Sequence, residues 1–128
     1  MKILGIGVDI IDNTRIKKSI KNKRFINRIF TSKEILISKK FKDKTNYYSK
    51  RFAAKEAFVK AIGTGFTNNI NFKDICIIND QFGKPIFVIS AKIKNIIKTQ
   101  FKTKTFNFFL SISDEKKYSI AYVILQKK

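Results

Sequence analysis

The stretch RFAAKEAFVKAIGTG, residues Arg51–Gly65, organises the interpretation of the whole chain. Strong helix formers fill it, and neither proline nor glycine interrupts it before Gly63, so it predicts one helix with a glycine stop. At 100° per residue, its alanines, Phe58 and Ile62 form one broad apolar arc. Glu56 and Lys60 lie one turn apart outside that arc. The sequence therefore places a carboxylate and an ammonium group next to each other on this helix.

Glu56 and Lys60 have two interpretations. A glutamate followed four residues later by a lysine is the preferred orientation of a helix salt bridge, which contributes about 0.2–0.5 kcal/mol. Gly63 would then be an ordinary C-cap. Alternatively, the pair belongs to a site, and Gly63 and Gly65 let a ligand approach the backbone closely. The start of the chain favours the second interpretation.

Residues 2–11 alternate in polarity and predict a β-strand whose two faces differ. One face is apolar, and the other carries Gly5, Gly7 and Asp9. Because glycine weakens a strand, two glycines at alternate positions predict that another segment or a ligand packs closely on that face. Asp9 either caps the next helix or belongs to a site, and the Asp-Asn-Thr run at 12–14 can cap that helix without it.

The composition fits one domain spanning residues 1–128, since 44% hydrophobic residues and 13 phenylalanines can form a core. No apolar run approaches the roughly 18 residues of a membrane span, and the first residues do not resemble a signal peptide. The lone Cys76 lies in an apolar run and is expected to be a small buried hydrophobe. These features predict a cytoplasmic protein without a membrane span.

The net charge of +19, from 28 Lys+Arg against 9 Asp+Glu, favours a polyanionic partner. Nucleic acid, an anionic membrane surface, an acidic protein and a phosphorylated small molecule all qualify. Part of the charge reflects a general bias toward Lys, Ile, Asn and Phe and carries no functional message. The absence of histidine excludes histidine base chemistry. A metal would be held by carboxylates, which favours magnesium, calcium or manganese.

The order of predicted elements indicates an α+β fold. After the first strand, the pattern predicts helices at 15–23, 24–30, 32–41 and about 47–62, strands at 75–78 and 86–89, a helix at 91–98, and a closing hairpin of strands at 105–113 and 118–126. Thr31 and Glu34 have capping-box spacing, which predicts a structural role for Glu34. One strand, several helices and then mostly strands predict a mainly antiparallel sheet.

Two carboxylates stand out as candidates for chemistry. Gly5-Ile6-Gly7 lacks the third glycine of a dinucleotide-binding loop, and the turn at 63–65 is not a Walker loop. Asp9 and Glu56 remain, both in apolar stretches. Two carboxylates with substrate phosphate oxygens and water are a usual magnesium environment. Lys60 and Arg51 could bind the remaining phosphate charge, so the set suits phosphoryl-type transfer.

These motifs resemble one known family over essentially the whole chain. The resemblance rests on GIGVDI at 5–10, Arg15-Ile16, Phe30-Thr31 with Glu34, RFAAKEAFVKAIGTG at 51–65, Gly83-Lys84-Pro85 and Ser111-Ile112-Ser113. It is a resemblance to the holo-[acyl-carrier-protein] synthases, the small single-domain 4′-phosphopantetheinyl transferases. It implies their fold and an enzyme of fatty acid biosynthesis. That enzyme transfers 4′-phosphopantetheine from coenzyme A to a serine of apo acyl carrier protein and releases adenosine 3′,5′-bisphosphate.

The resemblance also implies roles for individual residues. Asp9 and Glu56 match magnesium ligands, and Glu56 is a candidate to take the serine proton, directly or through water. Lys60 matches a catalytic lysine at the phosphates. The positions that match the lining of the coenzyme A site are Arg51, Lys60, Gly63, Thr64, Gly65, Lys84 and Pro85. Many members carry a histidine near the nucleotide where this chain has Asp114, and a carboxylate cannot neutralise a phosphate.

The implied partners are coenzyme A, acyl carrier protein and further copies of the chain. Arg15 matches a basic residue on the first helix, where the acidic carrier protein docks, and we expect Lys18 and Lys21 to contribute there. The family forms homotrimers with sites at subunit interfaces. A small chain with 13 phenylalanines also has apolar surface to cover by assembly.

A basic nucleic-acid-binding module is the alternative function. The net charge of +19 and the aromatic residues Tyr47, Tyr48 and Phe52 support it. It leaves both strand glycines and both carboxylates unexplained. The enzyme needs divalent metal and coenzyme A, whereas the module would bind RNA or DNA in EDTA with a steep salt dependence. The enzyme hypothesis therefore predicts that nucleic acid is not the partner.

Overall fold

The computed structural model describes residues 2–66 and 69–128, and it confirms the α+β class. In chain order the elements are β1 (Lys2–Asp12), α1 (Asn13–Ser19), α2 (Lys23–Ile29), α3 (Ser32–Ser38), α4 (Lys44–Ile62), a 3-10 turn (Phe72–Asp74), β2 (Ile75–Asn79), β3 (Pro85–Ile89), α5 (Ala91–Gln100), β4 (Phe106–Asp114) and β5 (Tyr118–Lys127). No helix in these two ranges is both long enough and apolar enough to cross a membrane.

The strands form two antiparallel sheets. The larger has the order β1-β5-β4, and the smaller is the β2-β3 hairpin. The predicted closing hairpin is confirmed as β4 and β5, with Asp114 opposite Ser119 next to the turn. In the same sheet Asp9 lies opposite Ala121, near the middle of the β1-β5 pairing.

The two glycines of β1 let the strand pack directly on α4. A Cβ atom at Gly5 would lie 1.8 Å from the carbonyl oxygen of Ala61, and one at Gly7 would lie 1.9 Å from that of Ala57. Real side chains are never this close to a backbone oxygen, so only glycine permits this approach. The expectation that another segment packs on the glycine face is confirmed, and that segment is the central helix.

The opposite face of the larger sheet is apolar and exposed. On β1, Ile6 is 58% and Ile10 60% exposed, and Val8 shares this face. The neighbouring strands add Tyr122 and Phe109, which are 43% and 48% exposed. The alternation in β1 therefore separates a glycine face on the core from an apolar face that no described part of this chain covers.

An ion pair between Glu34 and Lys55 lies in the core, and both side chains are 0% exposed. The Lys55 ammonium donates to Glu34 Oε1 at 2.7 Å and to the carbonyl oxygens of Ile29 and Phe72 at 2.7 and 3.2 Å. Glu34 completes the predicted capping box with Thr31 and also accepts from the Ile77 amide at 3.0 Å. Glu34 and Lys55 thus connect α3, α4 and β2, which is a wider structural role than a helix cap.

Helix boundaries differ from the predicted ones where a polar side chain caps the helix. The Asp43 carboxylate accepts from the Asn46 amide at 3.1 Å, so α4 begins earlier than predicted, at Lys44. Asn22 accepts from the Arg24 amide at 2.9 Å and caps α2, which ends the preceding helical run early. In α3 the Ser38 hydroxyl donates back to the Ile35 carbonyl at 2.6 Å, and the helix ends there.

Candidate active site

The close packing of β1 on α4 brings Asp9 to Lys60. The Lys60 ammonium donates to the Val8 carbonyl at 2.9 Å and to Asp9 Oδ1 at 3.3 Å. Among the residues that the structure describes, the ion-pair partner of Lys60 is Asp9, and Glu56 is not within ion-pair distance of it. The ordinary salt bridge within the helix is therefore not formed.

Asp9 is not a helix cap. The Asp12 carboxylate caps α1 by accepting from the Thr14 amide at 2.8 Å. This settles the alternative that the sequence left open for Asp9.

Asp9 and Glu56 of one chain interact electrostatically. Burial raises the pKa of Asp9, while the hydrogen bond from Lys60 and the charges of Lys60 and Arg15 act to lower it. Burial also raises the pKa of Glu56, and the negative charge of Asp9 raises it further. Two partly desolvated carboxylates that repel each other form a place where a cation is favourable.

The group formed by Asp9, Glu56 and Lys60 is accessible from solvent. The Lys60 side chain is 53% exposed and that of Asp9 is 17% exposed. Residues 2–66 and 69–128 contain no cluster of three or more His, Cys, Asp or Glu that could enclose a metal. A metal held by Asp9 and Glu56 would therefore complete its shell with oxygen atoms of a substrate and of water, which is the usual situation of Mg²⁺.

A second region lies at the first half of α4. A cavity of about 400 Å³, which we call the Arg51 cavity, is bounded by α4, β2, β3 and the end of β4. Its lining includes cationic, apolar and acidic residues, namely Lys50, Arg51, Ile77, Pro85, Ile112 and Asp114. Cations beside apolar walls suit a ligand with both phosphate and flat apolar parts.

Arg51 is the buried cation of this cavity and is only 4% exposed. Its guanidinium carbon lies 3.7 Å from the centre of the Tyr47 ring, and Nη1 donates to the Tyr47 carbonyl at 3.2 Å. Its Nε has no hydrogen-bond partner in the described part of the chain. Burial lowers the pKa of Arg51 and raises that of Tyr47 to about 12.

The remaining predicted coenzyme A residues lie in two places. Gly83 and Pro85 line the Arg51 cavity, and Lys84 is an exposed residue of the turn between them. Gly63 ends α4 in the left-handed conformation at φ 92°, followed by Thr64 and by Gly65 at φ 62°. The turn at 63–65 is thus at the opposite end of α4 from residues 46–51 of the cavity, and residues 67–68 after it lie outside the described residues.

The predicted docking residues are all exposed. Arg15 and Lys18 belong to α1, and Lys21 follows it. A shallow depression of about 650 Å³ separates α1 from α2 and is lined by Lys18, Ser19, Asn22, Arg24, Phe25 and Arg28. Arg24 and Arg28, which were not predicted as docking residues, add two exposed cations one helical turn apart to this surface.

Comparisons with known proteins agree on one family. The family model of the 4′-phosphopantetheinyl transferase superfamily matches residues 5–123. The chain is 70% identical to holo-[acyl-carrier-protein] synthase of Pelagibacter ubique (strain HTCC1062), and the match covers the full length of both chains. It is similar to the crystal structure of the synthase from Neisseria meningitidis, with 38% identity, a TM-score of 0.89, and coverage of 98% and 100% of the two chains. It is also similar to the synthase from Bacillus anthracis in complex with CoA (3′,5′-ADP), with 38% identity, a TM-score of 0.81, and 98% coverage of both chains.

Proposed function

This chain belongs to the 4′-phosphopantetheinyl transferase superfamily, and from that premise we propose how its residues perform the reaction. The chain is an enzyme that transfers 4′-phosphopantetheine from coenzyme A to a serine of apo acyl carrier protein. The observation that supports the proposed mechanism best is the grouping of Asp9, Glu56 and Lys60 of one chain where β1 crosses α4. We place this chemistry in the cytoplasm, in fatty acid biosynthesis, and assign residues 1–128 to one domain.

Asp9 and Glu56 hold one Mg²⁺ in this proposal. Their raised pKa values and mutual repulsion support it, because a divalent cation relieves both. The bound metal supplies positive charge to the pyrophosphate of coenzyme A. Lys60 is already anchored at Asp9 and adds a further cation for the phosphate oxygens.

The transfer itself is a displacement at phosphorus. The carrier serine Oγ forms a bond to the β-phosphorus of coenzyme A, and the bond from that phosphorus to the bridging oxygen breaks. The bridging oxygen keeps the electron pair and leaves as part of adenosine 3′,5′-bisphosphate. Glu56 receives the serine proton directly or through water. Positioning and charge neutralisation account for most of the catalysis.

Coenzyme A binding uses the remaining predicted residues. Arg51, Lys84 and Pro85 receive the adenosine end, and the Gly63–Thr64–Gly65 turn lies along the pantetheine or phosphate portion. In one chain the Arg51 cavity shares no described lining residue with the carboxylate pair. We therefore propose that a complete site combines Asp9, Glu56 and Lys60 of one subunit with the Arg51 cavity of another.

The proposed assembly is a homotrimer in which the exposed apolar face of the larger sheet is covered. Sedimentation at micromolar concentration is expected to give about three times the 14.9 kDa chain mass. Inactive Asp9→Asn and Arg51→Ala subunits, dissociated and reassembled together, should regain activity, since each supplies what the other lacks. A mixture of Asp9→Asn with Glu56→Gln should remain inactive. A fully active monomer, or no recovery in mixed trimers of the first pair, would contradict the shared site.

The enzyme function is tested by the mass of the carrier protein. Apo acyl carrier protein incubated with this enzyme, coenzyme A and Mg²⁺ should gain one 4′-phosphopantetheine, and EDTA should prevent the gain. The nucleic-acid alternative predicts instead tight binding of RNA or DNA in EDTA, with affinity falling steeply as salt rises. The two carboxylates near Lys60 have no role in that alternative.

Mg²⁺ binding should weaken as pH falls. The native pKa values of Asp9 and Glu56 lie above their ordinary values near 4, so protons compete with the metal at a higher pH than for exposed carboxylates. In metal-free protein, protonation of the pair stabilises the fold at low pH, and this contribution disappears as pH rises through the native pKa values. We expect Mg²⁺ to raise Tm at pH 8 and to have little effect at pH 4. Asp9→Asn should remove most of the Mg²⁺ effect at pH 8, and an unchanged effect would contradict the assignment.

The carrier protein should dock on the basic surface of α1 and α2. Charge complementarity mainly sets the association rate, so Lys18→Glu/Lys21→Glu should raise the KM for carrier protein by roughly tenfold and leave that for coenzyme A unchanged. Arg15 is unsuitable for this test because its charge also reaches Asp9 and Glu56. Lys98→Glu/Lys104→Glu makes the same charge change at the end of α5 and serves as the control. Equal effects of the two double variants would show that only net charge matters.

A further inference from the structure

Asp114 presents an oriented hydrogen-bond acceptor to the Arg51 cavity. It ends β4, and its Oδ2 accepts from Asn46 Nδ2 at 2.9 Å. The backbone of Asn46 is fixed in the first turn of α4, where its main-chain N–H donates to Asp43 Oδ1. In the described chain Oδ1 of Asp114 has no hydrogen-bond or ion-pair partner. The cavity therefore contains an exposed carboxylate that one hydrogen bond orients and whose second oxygen remains available to a ligand.

The carboxylate and the cations of the cavity are separate. Neither Lys50 nor Arg51 forms an ion pair with Asp114 within the two described ranges, although all three line the cavity. The walls also include the apolar residues Ile77 and Ile112. A ligand that fills this space would meet three kinds of group. These are the cations Lys50 and Arg51, the apolar walls, and the hydrogen-bond acceptor Asp114.

Two donors of an adenosine bisphosphate match the acceptor, the ribose 2′-hydroxyl and the adenine amino group, and the lining of the cavity favours the second. A carboxylate repels phosphate, so the phosphates belong near Lys50 and Arg51. The apolar walls suit a flat base, and the polar edge of adenine carries an amino group that donates hydrogen bonds. We propose that Asp114, oriented by Asn46, accepts a hydrogen bond from the adenine amino group and makes the enzyme selective for the base of its coenzyme. This inference rests on the proposed coenzyme A site.

The test replaces the adenine amino group. In the coenzyme A analogue with hypoxanthine, a carbonyl oxygen stands in place of the amino group and would face the carboxylate. We expect the wild-type kcat/KM for the analogue to be about 10- to 100-fold below that for coenzyme A, as for a lost hydrogen bond to a charged group. In Asp114→Asn the ratio should approach 1, because a rotatable amide can donate to the carbonyl or accept from the amino group.

Glu115→Gln is the matched control, because it neutralises the next residue of the chain, an exposed carboxylate that is not among the cavity lining. It should retain the wild-type preference. A wild-type enzyme that transfers from both substrates equally well would overturn the role of Asp114 while leaving the transferase function intact. An enzyme that does not transfer from coenzyme A would instead overturn the function itself.

The 3′-phosphate provides a second readout. If Asp114 faced this phosphate, Asp114→Asn would improve kcat/KM for coenzyme A much more than for 3′-dephospho-coenzyme A and would leave the base preference unchanged. That result would contradict the proposal. We expect the opposite, a changed base preference with little change in the ratio between the two phosphorylation states.

Discussion

Asp9→Asn and Glu56→Gln should each lower the rate of 4′-phosphopantetheine transfer by about a thousandfold or more. Metal charge at a phosphoryl group contributes several kcal/mol to transition-state stabilisation, and each ~1.4 kcal/mol corresponds to a factor of ten in rate. In the proposed site, loss of either carboxylate leaves one protein ligand for the metal. The rate is measured from the mass of the carrier protein at saturating Mg²⁺ and coenzyme A.

Both variants should fold. The native pKa values of Asp9 and Glu56 are raised, so the ionised forms are less favourable in the folded chain than in the unfolded one. Removing either charge should therefore leave Tm of the metal-free protein unchanged or slightly higher. Asp12→Asn is the matched control on the same strand, because Asp12 caps α1 and does not belong to the pair. It should keep its activity, and near-wild-type activity of Asp9→Asn or Glu56→Gln would contradict the shared metal site.

Lys55→Ala should lower the free energy of unfolding by about 3–5 kcal/mol, the usual effect of removing one partner of a buried ion pair. The Glu34 carboxylate would remain in the core without its cation, and the carbonyl groups of Ile29 and Phe72 would lose their donor. Burial lowers the pKa of Lys55, and the charge of Glu34 acts to raise it, so this partner favours the ammonium form. Denaturant unfolding measures the change.

Lys92→Ala provides the control for Lys55→Ala. Lys92 also pairs with a carboxylate, Asp74 at 2.8 Å, but its side chain is 41% exposed. A surface pair contributes about 0–1 kcal/mol, so this variant should be nearly neutral. Lys55→Met/Glu34→Gln removes both buried charges and should recover part of the stability lost in Lys55→Ala. If Lys55→Ala and Lys92→Ala cost the same, Lys55 would not have the structural role described above.

Local sequence patterns predicted the features of the fold and of the site that depend on backbone geometry. Alternating glycines in β1 predicted a close neighbour, because only a missing side chain allows a strand and a helix backbone to approach so closely. The Thr31 and Glu34 spacing predicted a capping box, and the Arg51–Gly65 stretch predicted a helix with a glycine stop. These features involve residues that are near in sequence, so their physical causes can be recognised without knowledge of the fold.

Features that depend on distant pairing were not predictable in the same way. Lys55 has the pattern of an ordinary helix former, and its burial follows from contacts with Glu34 and Phe72, which are far from it in sequence. The alternating polarity of β1 predicted two different faces, but it did not show that the apolar face points away from the chain's own core. The spacing within α4 offered Glu56 as the ion-pair partner of Lys60, whereas the structure pairs Lys60 with Asp9. This partner could be recognised only from the packing of β1 on α4.

A crystal of the enzyme with coenzyme A and Mn²⁺, used in place of Mg²⁺, tests the carboxylate site most directly. Anomalous scattering at the manganese edge locates the metal independently of the protein atoms. We predict one peak per subunit between the carboxylates of Asp9 and Glu56 of the same chain, in contact with the pyrophosphate of coenzyme A. A peak held by other residues, or bound coenzyme A with no metal at these two carboxylates, would contradict the proposed mechanism.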